Sequence, residues 1–490
     1  MQDISTSGRV LKSSFFLLAI QVVQRSLGII STLILARLLT PEHFGIVALV
    51  TIALQFFELL VETGNQQYII QKDHVEDDDL NTAWSMDISI KTAMAIAVIL
   101  CAPLMANFFE TPELTAALAV AALALPIRAF KTPGMMLLAR EINYHPVFWL
   151  TLWQKAASFI TVVTIALIHP SHWAIIIGTL VSAVIMSTGS YKVHSYRPSW
   201  TLKHLHTQWK FSQWLLARGI VGFTRSQIDN LLVSKLFGTS QLGGYNLVRE
   251  VSLLPALTAI IPMTEPLLAA VAENKNDPKV FSYRVRLSFA LLISALAPLT
   301  TFMMLYPELI VTVLLGHQWE AYASLLQPFG LFFFTFCLFS LMSDTIIAQG
   351  RVKALFLFDI LSTALIILIL LLAGTGDLEI MAWTRGWLAI ITTLLLLVLL
   401  NYWSSLNLPR LAILCVPAFI GSGVAAWSIS FFPLDRVDPK IQLAIKGSVF
   451  LAISTFLLLA SSRLLLKNSD EWHHVSWIIK KFFSNLKKKI

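Results

Sequence analysis

Long apolar segments recur along the whole chain, separated by short polar connections. A helix that crosses the hydrocarbon core of a bilayer needs about 20 mostly apolar residues, and on that rule the sequence predicts about fourteen spans. The segments do not alternate between apolar and polar residues, which excludes a transmembrane β-barrel. The predicted spans lie near residues 13–35, 44–65, 83–107, 114–137, 147–168, 172–191, 210–236, 243–271, 283–305, 321–348, 354–373, 379–401, 411–432 and 441–464.

Two Thr-Pro-Glu triplets, at residues 40–42 and 111–113, are predicted to start helices. A threonine hydroxyl can cap the first turn, proline is tolerated at the first helical position, and glutamate suits the positive end of the helix dipole. Both triplets are therefore expected to mark the beginning of a span.

Composition supports the same fold class. Hydrophobic residues make up 56% of the 490 residues and charged residues only 13%, whereas soluble domains contain about 25% charged residues. Backbone amides find no water in lipid, so helices satisfy them internally. The sequence therefore predicts an all-α polytopic membrane protein. Cys101, Cys337 and Cys415 lie inside apolar segments and are predicted to serve in packing, without a disulfide or a metal.

The basic residues predict the orientation of the chain. The net charge is +8, but the lysines and arginines lie mostly in the connections between apolar segments. With a cytoplasmic N-terminus, 24 of the 36 Lys and Arg residues fall in cytoplasmic segments and four in outside segments. Because cytoplasmic loops are enriched in these residues, both termini are predicted to be cytoplasmic. No cleavage site follows the first apolar segment, which is expected to be retained as a span.

An internal repeat divides the chain. Residues 33–50 align without gaps on residues 231–248, with five identities in 18 positions, including Gly45 with Gly243. Chance similarity between apolar segments is the alternative to a duplication. The alignment predicts a six-helix lobe over residues 1–200, a second over 201–403, and two further helices within 404–467. Transporters are often built from repeats of this kind around a site at the membrane midplane.

Residues 468–490 are predicted to form a basic cytoplasmic tail. Its apolar residues recur at spacings of three or four and are surrounded by lysines, which is typical of an amphipathic helix on an anionic membrane surface. An unstructured basic tail is the alternative. The apolar residues are Trp472, Val475, Ile479, Phe482, Leu486 and Ile490.

Charged residues inside predicted spans are the candidate functional groups. A charge at the bilayer centre costs roughly 2.5–3.5 kcal/mol on insertion scales, so these side chains are expected to face a polar interior. Arg385 and Lys446 are further intramembrane charges, nearer the outside. The candidate substrate-binding cations are Arg25, Arg225, Arg218, Arg249, Lys91 and Lys155, and the candidate ion-coupling or pairing residues are Glu58, Glu62 and Asp229.

Structural roles compete with these assignments. Lys91, Lys155 and Arg218 are within reach of the cytoplasmic surface by snorkelling, and Lys91 has Asp87 one turn away. Arg225 and Asp229 are also spaced to pair with each other. Arg25 lies near the middle of the first span and Arg225 near the middle of the seventh, each on a polar stripe, and they are the strongest candidates for a cavity.

A cavity with more cations than anions is expected to attract an anionic ligand, and arginine suits phosphate because its donors match phosphate oxygens. No metal-ligand cluster, glycine-rich phosphate loop or nucleophile constellation is present in the sequence. We therefore expect a transporter without a cofactor rather than an enzyme, and no nucleic-acid partner. Coupling to an ion or to the membrane potential stays open.

Four segments resemble one family. Residues 35–52 (LARLLTPEHFGIVALVTI) and 61–72 (VETGNQQYIIQK) resemble the opening of bacterial polysaccharide flippases of the Wzx type. Residues 228–255 (IDNLLVSKLFGTSQLGGYNLVREVSLLP) and 341–351 (LMSDTIIAQGR) are similar to later parts of the same family. The sequence departs from the pattern at Glu62, where relatives often have aspartate, and in the tail after residue 465.

The resemblance implies the fold of the multidrug/oligosaccharidyl-lipid/polysaccharide exporter superfamily, in which two six-helix lobes rock to alternate access. It implies a location in the bacterial inner membrane and an oligosaccharide on undecaprenyl diphosphate as substrate. Glycosyltransferases and a polysaccharide polymerase are the implied partners. The alternatives are a small-molecule exporter of the same superfamily, a membrane polymerase or glycosyltransferase, and a scaffold without transport.

Overall fold

The computed structural model describes residues 2–61, 65–262, 264, 277–373, 376–431, 437–465, 469–473 and 477. Side chains are described for all of these except residues 2–12, 14, 206–218, 373 and 464–465. The described residues form helices and connections, without a β-strand. They divide into two compact units, Met1–Asn246 and Leu247–Ile490.

The first unit contains ten helices and the beginning of an eleventh within its described residues. They are α1 (Gln2–Leu38), α2 (Pro41–Leu60), α3 (Asn65–Gln71), α4 (Asp77–Phe108), α5 (Glu113–Ala122), α6 (Ala124–Ala129), α7 (Gly134–Arg140), α8 (His145–Ile168), α9 (Trp173–Val193), α10 (Leu205–Phe237) and α11 (Thr239–Pro255). Helix α1 packs on α8, α8 on α9, and α10 on α2, α3 and α4.

The second unit begins in α11, which continues as a π-helical turn, Ala256–Ile260. Its further elements, among the residues described, are α12 (Pro278–Leu305), α13 (Pro307–Leu314), a 3₁₀ segment (His317–Leu325), α14 (Leu326–Ala348), α15 (Val352–Ala373), α16 (Leu378–Ser404), α17 (Leu408–Ser430) and α18 (Pro439–Leu465). Helix α17 packs on α12 and α18, and α14 packs on α12 and α16.

Eleven helices of the described chain are long and apolar enough to cross a membrane, or twelve if the pair Glu113–Ala129 and Gly134–Arg140 is one bent span. The all-α membrane fold is therefore confirmed. Of the other two predicted spans, 210–236 lies in α10, where charges such as Arg225 and Lys235 lower the mean hydropathy. The span 243–271 begins in α11 and extends past the described residues, so the count of fourteen stays a prediction.

The first Thr-Pro-Glu triplet starts a helix as predicted. The Thr40 hydroxyl accepts a hydrogen bond from the backbone N–H of His43 at 3.5 Å, and Pro41 is the first residue of α2. The second triplet works differently, because α5 begins at Glu113 without a side-chain cap. The Thr111 hydroxyl lies instead 2.5 Å from the hydroxyl of Thr239 and ties the start of α5 to the start of α11.

The boundary between the compact units falls at residues 246 and 247, inside α11. The sequence placed the division between its two lobes at residues 200 and 201. Helix α10 packs on α2, α3 and α4, which explains why it belongs to the first unit by contact. The repeat itself is a statement about sequence similarity and stays a prediction.

The described part of the C-terminal tail packs on the second unit. Trp472 is 3% exposed, and its indole N–H donates to the carbonyl of Leu414 at 3.1 Å. This side chain was expected on the lipid-facing side of a surface helix, but it is buried in protein. Residues 474–476 and 478–490, which hold most of the predicted amphipathic helix, lie outside the described residues.

The three cysteines are free. Cys337 on α14 and Cys415 on α17 are buried, and Cys101 on α4 is half-buried. Their positions fit the packing role that the sequence predicts, since buried cysteine behaves as a small apolar residue.

Candidate functional site

A cavity of about 640 Å³ lies inside the first unit, within the range of about 300–1,000 Å³ that small organic ligands occupy. Helices α2, α3, α4, α6, α7 and α10 contribute to its wall, together with the break between α6 and α7. The lining combines charged groups, amides and a few apolar side chains. The lining residues include Gln55, Glu58, Asn65, Gln66, Gln67, Asp87, Lys91, Arg128, Lys131 and Phe223.

Two ion pairs lie in the wall of the cavity. Arg128 on α6 contacts Glu58 on α2, and Lys91 bonds Asp87 at 2.7 Å on α4. The second pair follows from helical spacing, since residues four apart lie on the same face. The amide nitrogen of Asn65 donates to Asp87 at 3.4 Å and to the carbonyl of Ala83 at 3.2 Å. The carboxylates thus hold two of the cavity's cations in fixed positions.

The third cation, Lys131, is in a break of the helical path. Helices α6 and α7 are separated by residues 130–133, and the pair Glu113–Ala129 and Gly134–Arg140 is bent by 64°. The backbone N–H of Thr132 donates to the Ser190 hydroxyl at 3.0 Å, and the Tyr191 hydroxyl donates to the carbonyl of Phe130 at 2.8 Å. Helix α9 therefore satisfies the backbone groups that the break leaves free, as a non-helical segment in a membrane requires.

Gly134 lets the bend pack closely. A Cβ at this position would lie 2.2 Å from the ring Nδ1 of His194, in the connection after α9. The hydroxyl of Thr132 donates to the carbonyl of Tyr196 at 3.0 Å in the same connection. The bend is thus held on two sides, and the backbone that carries Lys131 is fixed.

A polar network ties α3 and α4 together beside the cavity. Asp79 is fully buried and accepts a bond of 2.6 Å from Lys72, while the His204 ring lies 2.6 Å away on the other carboxylate oxygen. The hydrogen bond to Asp79 raises the pKa of the Lys72 ammonium. Arg140 on α7 donates to the carbonyl of Ile69 on α3 at 2.7 Å. These bonds fix α3, which carries Asn65 and its neighbouring glutamines.

The connection after α9 is also anchored here. The Tyr196 hydroxyl shares its one hydrogen between the side-chain oxygen of Asn81 at 3.0 Å and the carbonyl of Asp77 at 3.2 Å. Burial raises the pKa of Tyr196 to about 12, and the nearby Asp77 contributes. The phenol therefore stays neutral at physiological pH and acts as a donor.

Of the predicted site residues, Lys91 and Glu58 line this cavity. Arg25, Arg225, Lys155 and Asp229 do not line it. Arg25 is half-buried on α1, and one of its terminal nitrogens is buried without a hydrogen-bond partner among the described residues. A cavity role for these other residues stays a prediction.

The remaining predicted residues of the first unit have other surroundings. Lys155 on α8 is half-buried and interacts electrostatically with Arg128. Asp229 on α10 is fully buried and accepts a hydrogen bond from the Tyr245 hydroxyl at 3.2 Å. Glu62 and the side chain of Arg218 lie outside the described residues.

In the second unit, Arg249 shares one aromatic ring with Arg385, a further intramembrane cation. The guanidinium groups of Arg249 and Arg385 lie 5.1 and 4.6 Å from the centre of the Phe332 ring. Both arginines are buried. A cation over an aromatic face is stabilised by the ring quadrupole, so Phe332 joins the two charges of α11 and α16.

Sequence reasoning missed Arg128 and Lys131 because it counted them as orienting charges of a cytoplasmic connection. The signal was present in residues 130–134 (FKTPG), a proline and glycine at the end of an apolar segment. Proline and glycine in a span indicate a broken helix, and broken helices in transporters lie beside substrate sites.

Comparison with known proteins gives the family. Residues 34–324 match the family described as "Polysaccharide biosynthesis protein". The chain is 22% identical over 361 residues to "Lipopolysaccharide biosynthesis protein WzxC" of Escherichia coli (strain K12), covering 72% of this chain and 73% of that protein. It is also 22% identical over 422 residues to "Teichuronic acid biosynthesis protein TuaB" of Bacillus subtilis (strain 168), covering 82% and 85%.

A solved structure described as "Lipid II flippase MurJ, inward closed conformation" shares the fold. The TM-score is 0.75 at 15% sequence identity, over 93% of this chain and 99% of that one. At this identity the likeness shows the fold alone. The family match covers more than half of the sequence and agrees with the resemblance seen in residues 35–72. This chain is a member of the polysaccharide biosynthesis protein family.

Proposed function

We propose that this chain is a flippase that moves a lipid-linked oligosaccharide across the cytoplasmic membrane of a bacterium for surface polysaccharide assembly. The observation that carries the proposal is the charged cavity lined by helices of the first unit. Ionisable groups inside a membrane protein are costly and mark substrate or ion pathways. The names of the two relatives, and the flippase with the same fold, support this function.

The physical task of such a protein is to lower a desolvation barrier. A saccharide headgroup carries many hydroxyls and, on an undecaprenyl diphosphate carrier, several charges. Burying polar and charged groups without partners costs several kcal/mol each. Charged and amide side chains of the cavity replace the lost water, while the lipid tail remains in the bilayer.

The two predicted lobes would alternate access to the two sides, with both termini in the cytoplasm. Arg25, Arg225 and Arg249 are proposed to contact the anionic headgroup at other stages of transport. Glu58 is a candidate for ion coupling, because a proton on its carboxylate would weaken its bond to Arg128. Glycosyltransferases and a polymerase are proposed as separate partner proteins, and the chain itself as a transporter without catalysis.

The charge of the cavity favours this function over export of organic cations. Three cations and two carboxylates line the described cavity, whereas a site for organic cations needs an excess of acidic groups. A polymerase or transferase would need a domain outside the membrane. The predicted orientation places the segment between α12 and α14 outside, and this segment consists of α13 and one 3₁₀ segment.

The test is the location of the lipid-linked repeat unit in a null mutant. We expect the unit to be made and to accumulate on the cytoplasmic leaflet, shielded from a membrane-impermeant glycan-oxidising probe added to spheroplasts. Permeabilised spheroplasts give the total amount. Repeat units exposed on the outer leaflet of the null mutant, with no second flippase present, would refute the proposal.

Complementation of the null mutant gives matched controls. Arg128→Ala should fail to restore export, and Lys353→Ala, which changes an exposed lysine at the start of α15, should restore it. Both variants are compared at equal membrane levels. Full export by Arg128→Ala would show that transport does not depend on this cavity residue, and the proposed role of the cavity would be wrong.

A further inference from the structure

The connection between α9 and α10, residues 194–204, is held along the first turns of α4 by backbone hydrogen bonds. The N–H of Ser199 donates to the side-chain oxygen of Asn81 at 2.9 Å, and the N–H of Thr201 donates to the Ser85 hydroxyl at 3.1 Å. Backbone N–H groups outside regular secondary structure need such partners wherever water is scarce. These bonds fix the path of the connection against α4.

The path runs inward along α4 and then returns. Tyr196, near the start of the connection, bonds the carbonyl of Asp77, and the bond to Ser85 lies eight residues further into the helix. Eight residues of α-helix rise about 12 Å. The N–H of His204, at the end of the connection, is back at the Thr82 hydroxyl, at 3.3 Å. The connection therefore turns back beside Ser85.

The start of α4 projects beyond the hydrocarbon core of a bilayer. The helix has 32 residues, which span about 48 Å, whereas the core is only about 30 Å thick. Three aspartates open the helix, while its other end stays apolar, with Leu100 and Leu104 exposed. The excess length is therefore at the aspartate end. The apolar segment of α4 begins near residue 83, so Ser85 lies near the level at which the hydrocarbon core begins.

The side chains at the turning point are apolar and exposed. Trp200 is 59% exposed and Leu202 is 42% exposed. The Trp200 ring also packs edge-on against Trp84 of α4, with the ring centroids 6.3 Å apart. Tryptophan is enriched at the membrane–water interface, because its ring is mostly apolar and its N–H can reach water. Both indoles are at the depth where such residues are expected.

The basic residues on either side of the turning point already have partners. Arg197 donates to the carbonyls of Tyr191 at 2.9 Å and His194 at 3.0 Å. Lys203 forms an ion pair with Asp78. The surface that this connection presents to its surroundings at the turning point is therefore apolar rather than electrostatic.

We infer that the α9–α10 connection is an interfacial membrane anchor, in which Trp200 and Leu202 insert between the headgroups and acyl chains of the leaflet at the aspartate end of α4. In the predicted orientation this is the cytoplasmic leaflet. The partner is the lipid surface itself, bound by apolar contact, while Arg197 and Lys203 stay in the aqueous layer. The inference is independent of the proposed function.

Spin labels measure the depth of each position in the bilayer. Single cysteines are introduced in a cysteine-free background, labelled with a nitroxide, and studied in the full chain in lipid nanodiscs. Power-saturation EPR compares collisions with oxygen, which concentrates in lipid, and with a neutral nickel chelate, which stays in water. The variants are Trp200→Cys and Leu202→Cys, with the exposed positions Ser195→Cys and His74→Cys as aqueous controls.

We expect collisions with oxygen to exceed those with nickel at positions 200 and 202, and the reverse at positions 195 and 74. Leu202→Cys keeps Trp200 in place, so it reports on the anchor even if loss of the indole moves the turning point. Replacing zwitterionic lipid by anionic lipid, or raising NaCl from about 0.1 M to about 1 M, should leave the oxygen preference unchanged, because screening acts on charges.

Substitutions of Trp200 test its part with the label kept at position 202. Trp200→Phe should retain the oxygen preference of the label. Trp200→Glu should shift the label toward nickel, since a carboxylate is costly to bury in lipid. Each variant is compared with its parent as a single monodisperse species.

Three results would overturn the inference. A nickel preference at both 200 and 202 would place the turning point in water. Few collisions with either reagent at both positions would mean that protein, and not lipid, covers it. An oxygen preference that disappears at high salt would show an electrostatic contact. The leaflet assay for flipping is unaffected by any of these results, so the proposed function stands or falls separately.

Discussion

Gly45 and Gly243 bring two helices together at backbone distance. A Cβ on Gly45 would lie 1.8 Å from the carbonyl oxygen of Thr239, and one on Gly243 would lie 1.8 Å from that of Pro41. The starts of α2 and α11 therefore cross inside the first unit with no room for a side chain between them. These two glycines are also aligned with each other in the internal repeat.

Alanine at either glycine should damage this crossing. No rotamer change relieves a Cβ at 1.8 Å from a backbone atom, so the helices must move apart, and overpacking of this kind costs about 1–3 kcal/mol or more. We expect Gly243→Ala and Gly45→Ala to lower the apparent melting temperature of the detergent-purified protein by several degrees. Gly423→Ala is the matched control, since nothing lies within 4 Å of its Cβ position. Equal melting temperatures for all three variants would contradict the crossing.

Charge reversal tests the pair between Glu58 and Arg128. Arg128→Glu places a carboxylate beside Glu58, and two like charges in contact repel each other. We expect export to fall by more than about tenfold. The double variant Glu58→Arg/Arg128→Glu should recover at least part of the export that the single change loses. A double variant as inactive as the single one would show that the pair is not the relevant contact.

The described part of the tail, residues 469–473, should stabilise the second unit by packing on it, and we call this contact the latch. Glu471 is fully buried and bonds Arg286 of α12 at 3.1 Å and Arg410 of α17 at 2.8 Å. Removing one partner of a buried ion pair costs about 3–5 kcal/mol. A chain that stops after residue 473 should melt like the full chain, whereas one that stops after residue 467 should melt at a clearly lower temperature.

Trp472 and Glu471 are buried, so the tolerated deletion begins after them. Trp472→Phe, which keeps a ring but removes the bond to Leu414, should destabilise mildly. Two truncations of equal stability would show that the latch contributes nothing.

Acid should weaken the latch only well below neutral pH. Burial alone would raise the pKa of Glu471, but hydrogen bonds from Arg410, Ser469 and Arg286 outweigh it and hold the pKa below its ordinary value. A lowered folded pKa gives stability that is present above the unfolded pKa, about 4.3, and is lost as pH falls through the folded pKa.

The comparison uses melting temperatures from about pH 8 to pH 3. The difference between the wild type and Glu471→Gln should stay constant down to about pH 5 and shrink below it. A difference that already shrinks between about pH 7 and pH 6 would mean that another group controls the effect.

Topology can be tested by cysteine accessibility in a background without Cys101, Cys337 and Cys415. Pro170→Cys and Gly376→Cys should react with an impermeant maleimide added to intact cells, because the predicted orientation places both outside. Ser199→Cys should react only after permeabilisation. All three positions are exposed in the structure. Labelling of Ser199→Cys in intact cells would invert the orientation.

The sequence by itself determined the membrane character, the helical class and the family resemblance. These properties depend on local composition, since about 20 apolar residues form a span whatever surrounds them. The candidate charges were also visible, because a cation in an apolar segment stands out without knowledge of the fold. Lys91 with Asp87 followed from helical spacing alone.

The tertiary structure decided which charges meet. Arg128 and Lys131 belong to the cavity because α9 holds the break between α6 and α7 in a bend, through contacts across about 60 residues of sequence. Arg249 and Arg385, on two different helices, both lie over the ring of Phe332 on a third. Glu471 finds Arg286 across 185 residues. Hydropathy depends on each segment alone, whereas side-chain partnership depends on how helices distant in sequence pack, and local pattern carries no record of that packing.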